Sequence, residues 1–208
     1  YDVTFYDLDI QVDPTTRRID GQLAVRATVT APLDRFVLNL DRLLQVRRAT
    51  LLHHGNTQPL PVERRAKDNQ VWMTLPRTYE PGESLTVRVG YGGAPRVAPN
   101  PPWDGGVTWA ETPSGAPWIA TSCQTIGADV WWPVKDHPSD EPDSMALSVT
   151  VPDSLVAAAN GVLRGTEQPA DSLRTFHWFV STPINSYAVA LNIAPYATID
   201  TAYASVSG

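Results

Sequence analysis

Tyr6-Asp7-Leu8-Asp9-Ile10-Gln11-Val12-Asp13 decides the fold class. Every second residue is apolar and the residues between are acidic or amide, so an extended chain offers one face to a core and the other to water. Asp13-Pro14-Thr15-Thr16 then supplies turn chemistry, and Leu23, Val25, Ala27 and Val29 repeat the alternation after Asp20-Gly21. Tyr6 to Thr30 is therefore predicted as a β-hairpin.

The same period continues outward. Phe36, Leu38 and Leu40 alternate, as do Val71, Met73 and Leu75, and then Leu85, Val87, Val89 and Tyr91 behind the turn Pro81-Gly82-Glu83. Met145 to Val151, Thr175 to Val180 and Tyr187 to Ile193 are predicted as further strands, with Asn160-Gly161 as a tight turn. One-sided strands of this kind suit antiparallel sheets with a solvated face. Nineteen prolines and seven tryptophans in 208 residues, with little helical periodicity, favour an all-β chain with many corners. Residues 1–208 read as a single domain, large enough to fold without metal or disulfide. Gly92 to Pro117 is rich in Gly, Pro and Trp and reads as an ordered loop or lid in which Trp103, Trp109 and Trp118 seek burial.

Charge excludes some functions. The net charge is −6, and only Arg17-Arg18, Arg47-Arg48 and Arg64-Arg65 are paired, so the clustered basic footprint of a nucleic-acid binder is missing. No apolar run is long enough to span a bilayer. Cys123 is the single cysteine, which forbids an intrachain disulfide and leaves the compartment open. The chain has neither an initiating Met nor a leader and reads as an excised or processed segment, with a further domain able to begin after Ala202-Tyr203-Ala204-Ser205-Val206-Ser207-Gly208.

The chemistry-bearing motifs are few. His53 and His54 are adjacent, so in a strand they point to opposite faces, and His137 and His177 stand alone in sequence. Asp136, Asp140, Glu141 and Asp143 lack the ordered spacing of a calcium loop. No His-Glu-x-x-His, Gly-x-Ser-x-Gly or phosphate-binding Gly loop occurs. What stands out is Ser122-Cys123-Gln124-Thr125-Ile126-Gly127-Ala128-Asp129-Val130-Trp131-Trp132-Pro133-Val134-Lys135-Asp136-His137-Pro138. It mixes an aromatic pair, prolines and polar residues and leads into the strand at Met145, so it is a structured loop feeding a sheet. Trp131, Trp132 and Pro133 suit an anchor, since two indoles bury large areas and the proline fixes the exit. Asp136 and Asp140 suit turn positions, accepting backbone N–H groups before prolines.

That passage resembles the amino-terminal domain of the M1 family of zinc aminopeptidases, in which a Gln or Glu is followed by an aromatic-Pro pair, by Asp-x-Pro and by a strand. The likeness extends from Tyr1-Asp2-Val3 through Tyr79-Glu80-Pro81-Gly82-Glu83 to Thr182-Pro183-Ile184-Asn185-Ser186-Tyr187-Ala188-Val189-Ala190. It implies a saddle-like domain of several mostly antiparallel sheets without substantial helix, and a downstream catalytic domain that holds the zinc and the glutamate base. No cofactor is expected in residues 1–208, and alone they should hydrolyse nothing. The resemblance places Gln124 in the active-site cleft near the peptide's amino terminus, where a neutral amide can orient an ammonium group without titrating; a loop amide that merely satisfies nearby backbone is the plainer reading. It gives Asp136 and Pro138 an architectural part. Two positions depart from the family pattern: Val134 stands where a Cys is frequent and Asp129 where an Arg is frequent. The rival readings are an immunoglobulin-like binding module displaying Trp103, Trp109 and Trp118, and a scaffold domain from a non-catalytic relative.

Overall fold

The computed structural model describes residues 1–53, 55–199 and 201; His54 and Ala202–Gly208, singled out above, lie outside them. In chain order the strands are β1 (Asp2–Asp13), β2 (Arg18–Thr28), β3 (Leu33–Asn39), β4 (Leu44–His53), β5 (Asn56–Pro59), β6 (Val62–Arg65), β7 (Gln70–Tyr79) and β8 (Ser84–Gly93). There follow β9 (Gly106–Glu111), β10 (Pro117–Ser122), β11 (Ser144–Pro152), β12 (Val156–Ala159), β13 (Val162–Ala170), β14 (Leu173–Val180) and β15 (Leu191–Ala194). Helix is limited, among the described residues, to single 3-10 turns at Ala128–Val130 and Ser186–Ala188. The fold is all-β.

The strands form three sheets: eight strands in the order β13-β14-β11-β1-β2-β8-β4-β5, four as β12-β15-β10-β9 and three as β3-β7-β6. Pairing is antiparallel except between β1 and β11, where Tyr6 lies beside Met145 and Leu8 beside Leu147. This parallel pair at the centre of the large sheet is possible because the long excursion between the two strands builds most of the rest of the domain.

The period-2 pattern explains which face is buried. Tyr6, Leu8, Ile10 and Val12 of β1, Leu23, Val25 and Ala27 of β2, and Val87, Val89 and Tyr91 of β8 are all buried. They join Phe36, Leu38, Val71 and Met73 of the small sheet and Ile119, Leu191 and Ile193 of the four-stranded one in a single apolar cluster. Burying such side chains contributes about 1.5–3 kcal/mol each, and the polar residues between them stay on the solvent side.

Several expectations need correction. Tyr187 to Ile193 is not one strand: Ser186–Ala188 is a 3-10 turn and only Leu191–Ala194 is extended. Side chains replace the ladder there, with Asn160 Oδ1 accepting the Ala190 N–H at 2.7 Å and Thr121 Oγ1 accepting the Leu191 N–H at 2.9 Å. Asn160-Gly161 is a bend that carries the chain from β12 to β13, which belong to different sheets. Within Gly92 to Pro117 the chain is partly regular, since β9 pairs with β10. Two tryptophans of that region are not hidden: Trp103 is 79% exposed and Trp118 36%. Trp103 sits on a tight turn that gives its ring nothing to pack into, and Trp118 faces outward from β10 with its indole N–H on the Tyr196 hydroxyl at 3.2 Å.

Candidate functional site

The passage from β10 to β11 is held from both ends. Trp131 and Trp132 are fully buried, with ring centroids 5.9 Å apart, and Trp132 meets Tyr6 edge-on at 5.0 Å. Aromatic pairs prefer such tilted geometry because the positive ring edge meets the negative face. The Tyr91 hydroxyl donates to the Trp131 carbonyl at 3.2 Å, and Tyr6 accepts the Lys135 N–H at 3.1 Å. Pro133 is buried, and Val134 exchanges two backbone hydrogen bonds with Asn39 of β3, at 2.6 and 3.0 Å. The aromatic pair thus locks the loop to the large sheet while Val134 locks it to the three-stranded one.

Ahead of this anchor lies a tight turn. The Cys123 carbonyl accepts the N–H groups of Ile126 at 3.2 Å and of Gly127 at 3.0 Å. Gln124 and Thr125 form its exposed tip, and Thr125 adopts a left-handed φ of 74°. Among the described residues none takes up the donors or acceptor of the Gln124 amide, which is exposed. Gly127 is required where it stands: its φ is 93°, and a Cβ there would run into the carboxylate of Asp136 and stand 2.9 Å from Oδ1 of Asp129.

Beside the turn is a cleft of about 240 Å³ lined by Thr125, Gly127, Asp136, Pro138, Ser186 and Tyr187. Asp136 is exposed and accepts the Ser186 hydroxyl at 3.4 Å rather than the backbone N–H expected of it. Asp140 accepts a backbone N–H from far along the chain rather than from its own turn, that of Val3 at 3.2 Å, and also pairs with the Lys135 ammonium. Asn185 donates to the Pro138 carbonyl at 3.2 Å and to Glu141 at 2.8 Å, which joins the far wall of the cleft to the near one.

Asp129 lies behind the cleft and is 5% exposed. Burial pushes its carboxyl up to about 6, the neighbouring Asp136 adds to the rise, and a hydrogen bond from Asn69 opposes it. That bond measures 3.1 Å, while the Asp129 carbonyl accepts the Asp41 N–H at 2.8 Å. The part played by Asn69 was not visible in sequence; its left-handed φ of 51° at the β6–β7 turn is what aims it inward.

A larger concavity of about 490 Å³ covers the polar face of the eight-stranded sheet. There Ser148 Oγ lies 2.9 Å from His177 Nδ1, whose other nitrogen is 3.5 Å from Glu167. The trio mimics a nucleophile relay, but Ser148 pairs with Asp9 of β1 on one side and His177 of β14 on the other. Backbone N–H groups spent in two ladders leave no donors for an oxyanion, so this is a satisfied cross-strand network.

No three His, Cys, Asp or Glu side chains among the described residues group so as to hold a metal ion.

A family model for the Peptidase M1 N-terminal domain matches residues 3–188. The chain belongs to that family. Among solved structures, a two-domain M1 zinc metallopeptidase, a Glu-to-Ala mutant bound to L-arginine, matches with a TM-score of 0.78 and 29% identity over 93% of this chain and 42% of that one. The corresponding mutant from Deinococcus radiodurans bound to a Tyr-Ser-Ala substrate gives the same values. The M1 zinc metallopeptidase from Deinococcus radiodurans matches with a TM-score of 0.76 and 28% identity. The M1 domain described here thus spans less than half the length of these relatives. No curated protein matches it by sequence. Its three sheets and central parallel pair set it apart from the immunoglobulin-like sandwich, which has two antiparallel sheets.

Proposed function

We propose that this M1 N-terminal domain supplies one wall of the substrate cleft in a zinc-dependent aminopeptidase, and that Gln124 meets the free amine of the bound peptide. The observation that carries this reading is an unengaged amide at the tip of a turn whose base is buried, bordering the cleft at Thr125 and Gly127. A neutral amide accepts a hydrogen bond from an ammonium and donates one elsewhere, and its geometry is independent of pH. Holding the peptide's end in register is worth orders of magnitude in rate when the reacting bond lies nearby. The zinc belongs to a downstream domain of the same chain, and this domain contributes binding and orientation only.

The test is Gln124→Ala in the full-length protein. Peptides with a free amine should lose about tenfold in kcat/KM, the scale of one charge-assisted hydrogen bond, with the loss carried mainly by KM. Unchanged kinetics would remove Gln124 from the substrate's surroundings. A full-length protein that lacks zinc ligands would make the domain a scaffold instead.

A further inference from the structure

The loop before β9 displays an indole that the fold does not use. Trp103 is 79% exposed although its loop is tied down: the N–H groups of Trp103 and Asp104 both donate to the Asn100 carbonyl at 2.9 Å, and Val107 donates to the Arg96 carbonyl at 2.7 Å. A tied loop cannot fold the ring away, and an isolated aromatic side chain held in water on an ordered turn is the common form of a contact residue.

Its loop packs next to the turn that carries Gln124. Gly105, two residues beyond Trp103, lies so close to β10 and the following turn that a Cβ there would overlap the Ile126 side chain and stand 2.9 Å from the Ser122 carbonyl oxygen. Ser122 and Ile126 bracket Gln124 in the chain. Two residues span at most about 7 Å, so Trp103 and Gln124 each sit within that reach of one shared contact. Trp118 is differently engaged, with its N–H on Tyr196.

We infer that Trp103 contacts the first side chain of the peptide whose amine Gln124 holds, and so favours large apolar residues at the peptide's amino terminus. The inference rests on the cleft placement proposed above. An indole face offers dispersion and ring-stacking contacts that grow with the size of the opposing side chain, and it offers an alanine almost nothing. Trp103 is therefore a specificity residue with no part in the bond-breaking step.

Steady-state kinetics of the full-length enzyme on Ala-, Leu- and Phe-p-nitroanilide test this, with Trp103→Ala, Trp103→Phe, Trp118→Ala and Gln124→Ala compared. Trp103→Ala should lose about tenfold in kcat/KM on Leu and Phe and less than about twofold on Ala. Trp103→Phe should restore most of the loss, and Trp118→Ala should change nothing. An equal loss on all three substrates, or a lowered Tm in Trp103→Ala, would mean that the ring packs against the rest of the protein and overturns the inference. No change in Trp103→Ala while Gln124→Ala is impaired overturns it alone; no change in either removes the cleft placement and this inference with it.

Discussion

The indole N–H of Trp131 donates to the sulfur of Cys123 across 3.2 Å, with both groups buried. The sulfur sits at the base of the turn whose tip is Gln124, so the aromatic anchor and the exposed amide are mechanically one unit. Burial pushes the Cys123 thiol up to about 12, against the pull of the Trp131 hydrogen bond. Since the thiolate is the reactive species, Cys123 should resist thiol-specific reagents at pH 8 in the native protein and react fully in denaturant. Trp131→Phe should raise the native labelling rate by about tenfold or more through local opening; rapid labelling of the wild type would show that the turn is not seated as described.

Asp129 makes stability depend on pH. Its carboxyl is held near 6 in the folded protein, above its ordinary value of 3.8, chiefly by burial. A raised carboxyl contributes stability that is fully present below the unfolded value and is lost as pH rises through the folded one. Asp129→Asn removes the buried charge and keeps an acceptor for Asn69, so it should stabilise the domain by about 1–3 kcal/mol at pH 8. The advantage should shrink steadily between pH 6 and pH 4. Urea melts of both proteins at several pH values measure it, and a difference independent of pH would contradict the burial argument.

Asp140 joins the start of β1 to the loop before β11. It is 7% exposed, accepts the Val3 N–H and pairs with the Lys135 ammonium, which also donates to the Tyr1 carbonyl at 2.5 Å. Removing one member of a buried pair leaves the other uncompensated. Lys135→Ala should therefore cost about 3 kcal/mol, because it strands the buried Asp140 carboxylate, and Asp140→Ala less, because the ammonium it leaves is partly solvated and keeps the Tyr1 carbonyl. The double variant should cost less than the sum of the two; strict additivity in a denaturant cycle would mean that the pair does not interact.

Much of the fold is legible in the chain, and the failures have physical causes. β1, β2, β7, β8 and β11 bury alternate residues over most of their length, so alternation finds them. β4 escapes because its register shifts between Val46 and Arg48, after which the buried residues change parity, from Leu44 to Ala49 and Leu51. A bulge inserts one residue and flips the pattern. β13 is exposed along its whole length and has no apolar face to announce it. At the cleft, the loop around Trp131 was readable from its composition, and Gln124 is proposed on family resemblance. Asp129, Asn69 and Ser186 were not, because contacts between residues 60 or 50 positions apart leave no local trace.

The parallel pairing of β1 with β11 sets the order in which the domain can be completed. On the ribosome, the edge of β1 that β11 will occupy stays open until more than a hundred further residues have been made. The hairpin β13–β14 cannot join the large sheet before β11 arrives, whereas β8, β4 and β5 attach through β2 on the other side of β1. Contacts so distant in sequence close slowly, and an open strand edge recruits other chains. Cutting the chain anywhere between β2 and β11 would yield fragments that carry an unsatisfied sheet edge. The domain is thus a late-closing fold whose large sheet is completed only by its last third.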